Sequence, residues 1–247
     1  MAGKFVWKPS RDVIEHANIT RFMRKQGFRS VDNFVKRSCE DIEWFWDVVV
    51  GDLGLEFTTP YHRVMDSSRG VPWTEWYVGG RLNIASNCLD RHARGPFADR
   101  VCLISESEDG RVAKYTFRSL ARAVDACAAA LRAAGISRGD RVGCYMPMVA
   151  EVAAQMFACF KIGAIFIPIF SGFAPPAVAE RLRDAEAKLL FTADGTIRRG
   201  TLVPIKQNAD GAARDVPSLK RVVVLRRGTE PLPWHEGRDV LWDDFLA

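Results

Sequence analysis

Apolar and polar positions follow two regimes along the chain, and the change falls near residue 98. Beyond it, short β-rich runs alternate with segments of helical period. "RVCLISES" and "RVAKYTF" flank Asp109-Gly110, a dipeptide suited to the tight turn of a hairpin. Thr116 is placed to cap a helix in which Phe117, Leu120, Ala121, Val124, Ala128 and Leu131 recur at the 3.6-residue period, and Gly135 closes it. "GDRVGCYMP" reads as the next strand, residues 149–162 as a helix, "AIFIPIF" as a strand, residues 175–186 as a helix opened by Pro175-Pro176, and "KLLFTA" as a strand. A further helix through Lys206 and a strand "RVVVL" complete the series. Apolar strands separated by helices specify a parallel sheet covered on both faces, and right-handed crossovers make it doubly wound.

Before residue 98 the chain is rich in tryptophan and phenylalanine but poor in long periodic segments. "SVDNFVKRS", with Ser30 and Asn33, and "SCEDIEWFWDVVVGDLG", opened by Ser38, both predict short capped helices. In the second, Ile42, Phe45, Trp46 and Val49 lie at i, i+3, i+4 and i+7, an aromatic stripe of the kind that packs against protein rather than ligand. The expected architecture is therefore α/β: an irregular helical arm over residues 1–97, then over 98–247 part of a doubly wound, mainly parallel sheet.

Composition narrows the setting. With 247 residues, 48% of them hydrophobic, there is enough material for a large core. A net charge of +5, from 35 basic and 30 acidic residues, is spread without a polybasic run. Neither nucleic acid nor a membrane surface is suggested as partner. Six cysteines are scattered, several inside apolar patterns, which fits reduced thiols in a cytoplasmic protein. The N-terminus lacks the apolar core of a secretion signal, and no stretch has the length of a membrane span.

In an open parallel sheet, ligands bind beyond the carboxyl ends of the strands, where helix N-termini and loop amides converge. Two loops qualify. Phe170-Ser171-Gly172-Phe173 leaves "AIFIPIF" and enters the helix at Pro175, and Gly172 lets a ligand approach the backbone. The segment 194–200, Asp-Gly-Thr-Ile-Arg-Arg-Gly, follows "KLLFTA" and carries Arg198 and Arg199, whose guanidinium forks suit phosphate. If the two strands are neighbours, these groups share one anion-binding rim. The alternative is a turn and a solvated arginine pair, and spacing alone does not decide between them. No G-x-x-x-x-G-K-[ST] or G-x-G-x-x-G loop occurs, and the nearest imitation, "DSSRGVP" at 66–72, lacks the lysine and is expected to have no strand before it.

The four histidines are far apart, and only His92 has a cysteine, Cys88, at helical spacing. Two ligands do not make a zinc site, so no metal ligand is assigned. Within "WYVGGRLNIASNCLDRH", Gly79-Gly80 lacks the strand-turn-helix setting of a phosphate cradle, and the whole stretch reads as a structural joint, with Asp90, Arg91 and His92 a buried polar corner or helix end.

Taken together, "WKPSRDVIEHANITRFM", "WYVGGRLNIASNCLDRH", the long stretch from "YTFRSLARAVDACAAALRAAGISRGDRVGCYMP" to "KLLFTADG", and "EGRDVLWDDFLA" resemble the N-terminal part of acetyl-coenzyme A synthetase-like enzymes of the AMP-forming, adenylate-forming superfamily. The resemblance covers nearly the whole chain. It implies a ligase in which a short carboxylic acid attacks the α-phosphate of ATP, with magnesium as charge partner, and coenzyme A then takes the acyl group as a thioester. It also implies that Phe170, Ser171, Gly172 and Arg198 contact the nucleotide portion of coenzyme A. Relatives often have Gly-Gly after the phenylalanine where this chain has Ser171-Gly172, and their second coenzyme A arginine is replaced by Thr201, for which Arg199 is a substitute pointing elsewhere.

The superfamily's phosphate loop ending in Pro-Lys-Gly, its magnesium motif, its ribose-binding aspartate and its C-terminal lysine have no counterpart in these residues. The chain is therefore expected to hold no catalytic residue, to bind neither ATP nor coenzyme A tightly by itself, and to need the rest of the large domain and the C-terminal domain as partners. The rival expectation, from a different class, is a non-catalytic remnant acting as an interaction or regulatory module through its aromatic arm.

Overall fold

The computed structural model describes residues 6–108, 110–198, 200–228 and 231–247, and of Arg198 and Leu202 the backbone alone. Two compact units divide between Leu82 and Asn83.

The first unit holds α1 (Arg11–His16), α2 (Asn18–Lys25), α3 (Val31–Glu40) and α4 (Ile42–Leu53), then the antiparallel pair β1 (Arg63–Asp66) and β2 (Glu75–Val78). Its core is Phe22, Met23 and Phe34, with Phe28, Trp44, Phe45, Val48 and Val49 packed around them. Ser30 caps α3, its hydroxyl accepting from the Asn33 amide as the sequence predicts. The next helix starts later than expected. Ser38 lies inside α3 and donates its hydroxyl to the Val35 carbonyl, whereas Asp41 leaves helical geometry and its carboxylate accepts from the Trp44 amide at 3.0 Å. Of the aromatic stripe, Phe45 and Val49 join the core, and Trp46 meets Trp76 edge-on at 6.2 Å.

The second unit opens with a π-helical turn over Ser86–Asp90 that runs into α5 (Arg91–Arg94). There follow the antiparallel hairpin β3 (Val101–Glu106) and β4 (Val112–Thr116), then α6 (Phe117–Ala133), β5 (Arg141–Met146), α7 (Ala150–Ile162), β6 (Ile165–Phe170), α8 (Pro175–Asp184) and β7 (Leu189–Ala193). A small hairpin, β8 (Thr196–Arg198) and β9 (Thr201–Val203), precedes α9 (Ile205–Ala213), β10 (Arg221–Leu225), β11 (Asp239–Leu241) and α10 (Trp242–Leu246). Asp109 of the expected turn lies outside the described residues. Thr116 and Ser119 form a reciprocal capping box at the start of α6, and Gly135 follows its end at φ 81°.

Strands β11-β10-β7-β5-β6 form one sheet in that order, every pair parallel. Alternate residues feed opposite faces, as the period of a strand requires. Val142, Cys144, Met146, Phe191 and Val223 pack with α6, α7 and α10, while Tyr145, Leu190, Val222 and Val224 pack with α8 and α9. The chain winds from β5 to β6 in one direction and from β7 to β10 in the other, which is the doubly wound topology expected. The reversal point sits between β5 and β7.

Residues 83–97, grouped with the arm on composition, make their contacts in the second unit. Asn83 Nδ2 donates to the Phe160 carbonyl at 2.9 Å, and Asp90 accepts from Lys161 Nζ at 2.9 Å. Leu89, 1% exposed, enters the core beside α6. No helix among the described residues is long and apolar enough to cross a membrane.

Candidate functional site

The carboxyl ends of β5, β6 and β7 open into a cleft of about 740 Å³. This is the place where an open α/β sheet offers strand ends and helix N-termini without a covering crossover. Phe170, the last residue of β6, presents a 56% exposed ring to it, and Ser171 lies beside it. The turn is closed by the Phe173 amide donating to the Phe170 carbonyl at 3.0 Å. From below, the Tyr145 hydroxyl donates to the Phe173 carbonyl at 2.8 Å and accepts from Asn208 Nδ2 at 3.4 Å. Burial raises the Tyr145 phenol above its usual range, so it stays a neutral donor. Gly172 stands one residue behind the lining.

The second predicted segment is not a plain loop. Thr196–Arg198 pair with Thr201–Val203 in a hairpin whose tip includes Gly200 at φ 72°, a conformation that favours glycine. Arg198 lies opposite Thr201 in this pairing; Arg199 lies outside the described residues. Strands β6 and β7 are not neighbours, because β5 runs between them. The cleft nevertheless brings Phe170 and Ser171 together with Gly195, Thr196 and Gly200. It spans the ends of three strands, and the intervening end contributes Pro147 and Met148.

Asp194 fixes the base of the hairpin. Its Oδ2 accepts from the amides of Arg227 and Gly228, both at 2.8 Å, and its Oδ1 from the Gly195 amide at 2.7 Å. The turn after β7 is thereby tied to the turn after β10, and Arg227 Nη1 reaches Thr196 Oγ1 at 3.4 Å. Sequence reasoning placed Asp194 in the second loop but missed its tie to the turn after β10, and it missed Lys206, Arg227 and the Pro231–Pro233 wall as cleft residues. Their partners are distant in sequence, and no local pattern marks an aspartate that will cap another strand's turn.

Elsewhere the candidate chemistry resolves into architecture. Cys88 is exposed, and the His92 ring packs against Phe117 at 5.0 Å while Arg91 Nε donates to His92 Nε2 at 3.4 Å. Among the described residues no group of three or more His, Cys, Asp or Glu side chains is arranged to hold a metal ion. The "DSSRGVP" segment does follow a strand, β1, contrary to expectation, because Arg63–Asp66 pair with β2. It leads, however, into a three-residue 3₁₀ turn, Val71–Trp73, and has no helix N-terminus to offer an anion. Gly79 takes φ 78°, and a Cβ at Gly80 would fall 2.8 Å from the Tyr77 carbonyl oxygen, so both glycines serve a tight turn.

The family described as AMP-binding enzyme matches residues 89–244, and that described as acetyl-coenzyme A synthetase N-terminus matches residues 31–88. The chain is 35% identical over 246 residues to an acetyl-coenzyme A synthetase of Methanothrix soehngenii, covering 98% of this chain and 36% of the relative. It is 42% identical over 212 residues to an acetyl-coenzyme A synthetase of Deinococcus radiodurans, covering 85% and 32%. Among solved structures it is similar to an acetoacetyl-CoA synthetase from Streptomyces lividans, with a TM-score of 0.89 at 27% identity, over 99% of this chain and 38% of that one. The chain thus spans about a third of the length of the relatives it matches.

Proposed function

The chain belongs to the AMP-binding enzyme family, and we propose that it forms the N-terminal segment of an AMP-forming short-chain acyl-coenzyme A synthetase, supplying part of the site for the nucleotide of coenzyme A. In the complete ligase a short carboxylic acid and ATP give an acyl-adenylate and pyrophosphate, and coenzyme A then displaces AMP. The observation that carries the assignment is the convergence of Phe170 and Ser171 with Gly195 and Thr196 on one cleft at the strand ends. An exposed aromatic ring beside strand-end turns suits an adenine ring and its phosphates.

Phe170, Ser171, Gly172 and Arg198 are proposed as contacts, with Arg199 as a further cation. In this reading the segment supplies coenzyme A contacts and no catalytic group. The Arg198→Ala change in the full-length ligase tests the reading. The coenzyme A concentration for half-maximal thioester formation should rise about tenfold, the loss expected for one charged phosphate contact, while acid-dependent pyrophosphate exchange is unchanged. Equal loss in both half-reactions would overturn it.

A further inference from the structure

Lys206 occupies the second position of α9 with 0% exposure, yet its side chain lines the cleft floor. Its ammonium lies 2.7 and 2.8 Å from the Asp210 carboxylate oxygens, 2.8 Å from Asp239 Oδ2 and 3.2 Å from the Pro233 carbonyl. An ammonium has three hydrogens, and these three groups occupy them. They belong to α9, to β11 and to the Pro231–Pro233 segment, which forms one wall of the cleft.

The surrounding charges balance. Asp239 also accepts from Arg238 Nε at 2.7 Å and the His235 amide at 3.0 Å, and Asp210 also receives Arg238 Nη2. Burial pushes the Asp239 carboxyl up, but the hydrogen bonds from Arg238 and Lys206 outweigh it and hold it below its usual value. Two carboxylates face the Lys206 ammonium and the Arg238 guanidinium, with the His235 ring 3.8 Å from Asp210, so the cluster is paired within itself. Stability by itself does not call for a lysine here, since well-packed apolar residues often replace buried ion clusters without loss. What an apolar side chain at position 206 could not do is donate a hydrogen bond to the Pro233 carbonyl. Leu232 packs its side chain against the core beside α8 and α9, while Pro231 and Pro233 have no amide hydrogens, so at Pro233 the backbone group open to a side chain is the carbonyl.

We propose that Lys206 is a positioning residue of the cleft: by holding the Pro233 carbonyl it fixes the Pro231–Leu232–Pro233 wall against α9 and β11, and so sets the width open to the nucleotide of coenzyme A. The ligand in this statement rests on the function proposed above; the tethering of the wall does not.

The test uses the full-length ligase labelled with 5-fluorotryptophan, in which the fluorine resonance of Trp234, next to Pro233, is assigned by its loss in Trp234→Phe. In Lys206→Met that resonance should shift or broaden while those of Trp44 and Trp46 stay in place. Titration with coenzyme A should show binding about five- to tenfold weaker in Lys206→Met and close to that of the unaltered ligase in Lys206→Gln, which keeps an N–H donor for the Pro233 carbonyl. Lys206→Gln keeps a polar donor among Asp210, Asp239 and the Pro233 carbonyl, so it keeps the test alive if Lys206→Met fails to fold. A Lys206→Met ligase that melts earlier but keeps the Trp234 resonance and the affinity, or a Lys206→Gln ligase whose binding weakens about five- to tenfold, would overturn the proposal. If the unaltered full-length ligase gives no response to coenzyme A, the functional reading fails, and the Trp234 resonance alone decides whether Lys206 holds the wall.

Discussion

Lys161 Nζ lies 2.9 Å from Asp90 Oδ1, joining the last turn of α7 to the π-helical turn 71 residues earlier in the chain. The same ammonium also reaches Asp125 on α6, so one side chain ties three elements of the second unit. Burial disfavours the charged amine, and its two carboxylates more than compensate, raising its pKa. The two partners are unequal: the Asp90 side chain is 9% exposed and that of Asp125 60%. Lys161→Met strands a buried carboxylate and should cost about 3 kcal/mol, whereas Asp125→Ala should cost less than about 1 kcal/mol. Urea unfolding of the two variants measures the difference, and equal losses would contradict the assignment.

Gly143 lies in β5, where the sheet is covered on both faces. A Cβ there would fall 2.5 Å from Leu182 Cδ2 and 2.9 Å from Leu190 Cδ1, and both leucines are fully buried. Neither can swing into solvent to make room. Gly143→Ala should therefore destabilise the chain by about 1–3 kcal/mol through overpacking, even though alanine suits a strand no worse than glycine. A thermal scan showing an unchanged or higher melting temperature would refute this.

Asp140 begins the turn into β5. Lys188 Nζ at 2.7 Å and the Ser137 amide at 2.9 Å hold its carboxyl at about 2, below an ordinary 3.8. A depressed carboxylate pKa stabilises the fold fully above the unfolded value and loses that contribution as pH falls through the folded one. The contribution should fade between about pH 4 and pH 2. Asp140→Asn should remove this part of the acid sensitivity, visible as a shallower stability-against-pH curve in that interval. An unchanged slope would show that other carboxylates dominate there.

The strand ends around the cleft show how far local pattern reaches. "AIFIPIF" and "KLLFTA" are apolar runs between helices, and their exit turns are legible because Ser-Gly and Asp-Gly interrupt them. The β8–β9 hairpin was not, since its strands are three residues long and too short to show a period. Nor does either run say that β5 will lie between β6 and β7, because strand order is set by the hand of the crossovers and by which helix covers which face. Start sites shift for a similar reason. Ser38 and Asp41 are both competent caps, and the choice falls to the residue at which the backbone leaves the helix.

The sequence by itself determined the class of fold, the helical arm, the succession of strands and helices from β3 to β10 apart from the β8–β9 hairpin, and Phe170 and Ser171 as residues at a strand end. These follow from period, caps and turn residues, which act over a few positions. Tertiary structure decided that Phe170 and Thr196 face one cleft, that Asp194 ties two strand-end turns, and that Lys206 is buried under the wall at Pro233. Each depends on groups brought together from distant positions, and burial of a charge becomes tolerable only where folding supplies its partners.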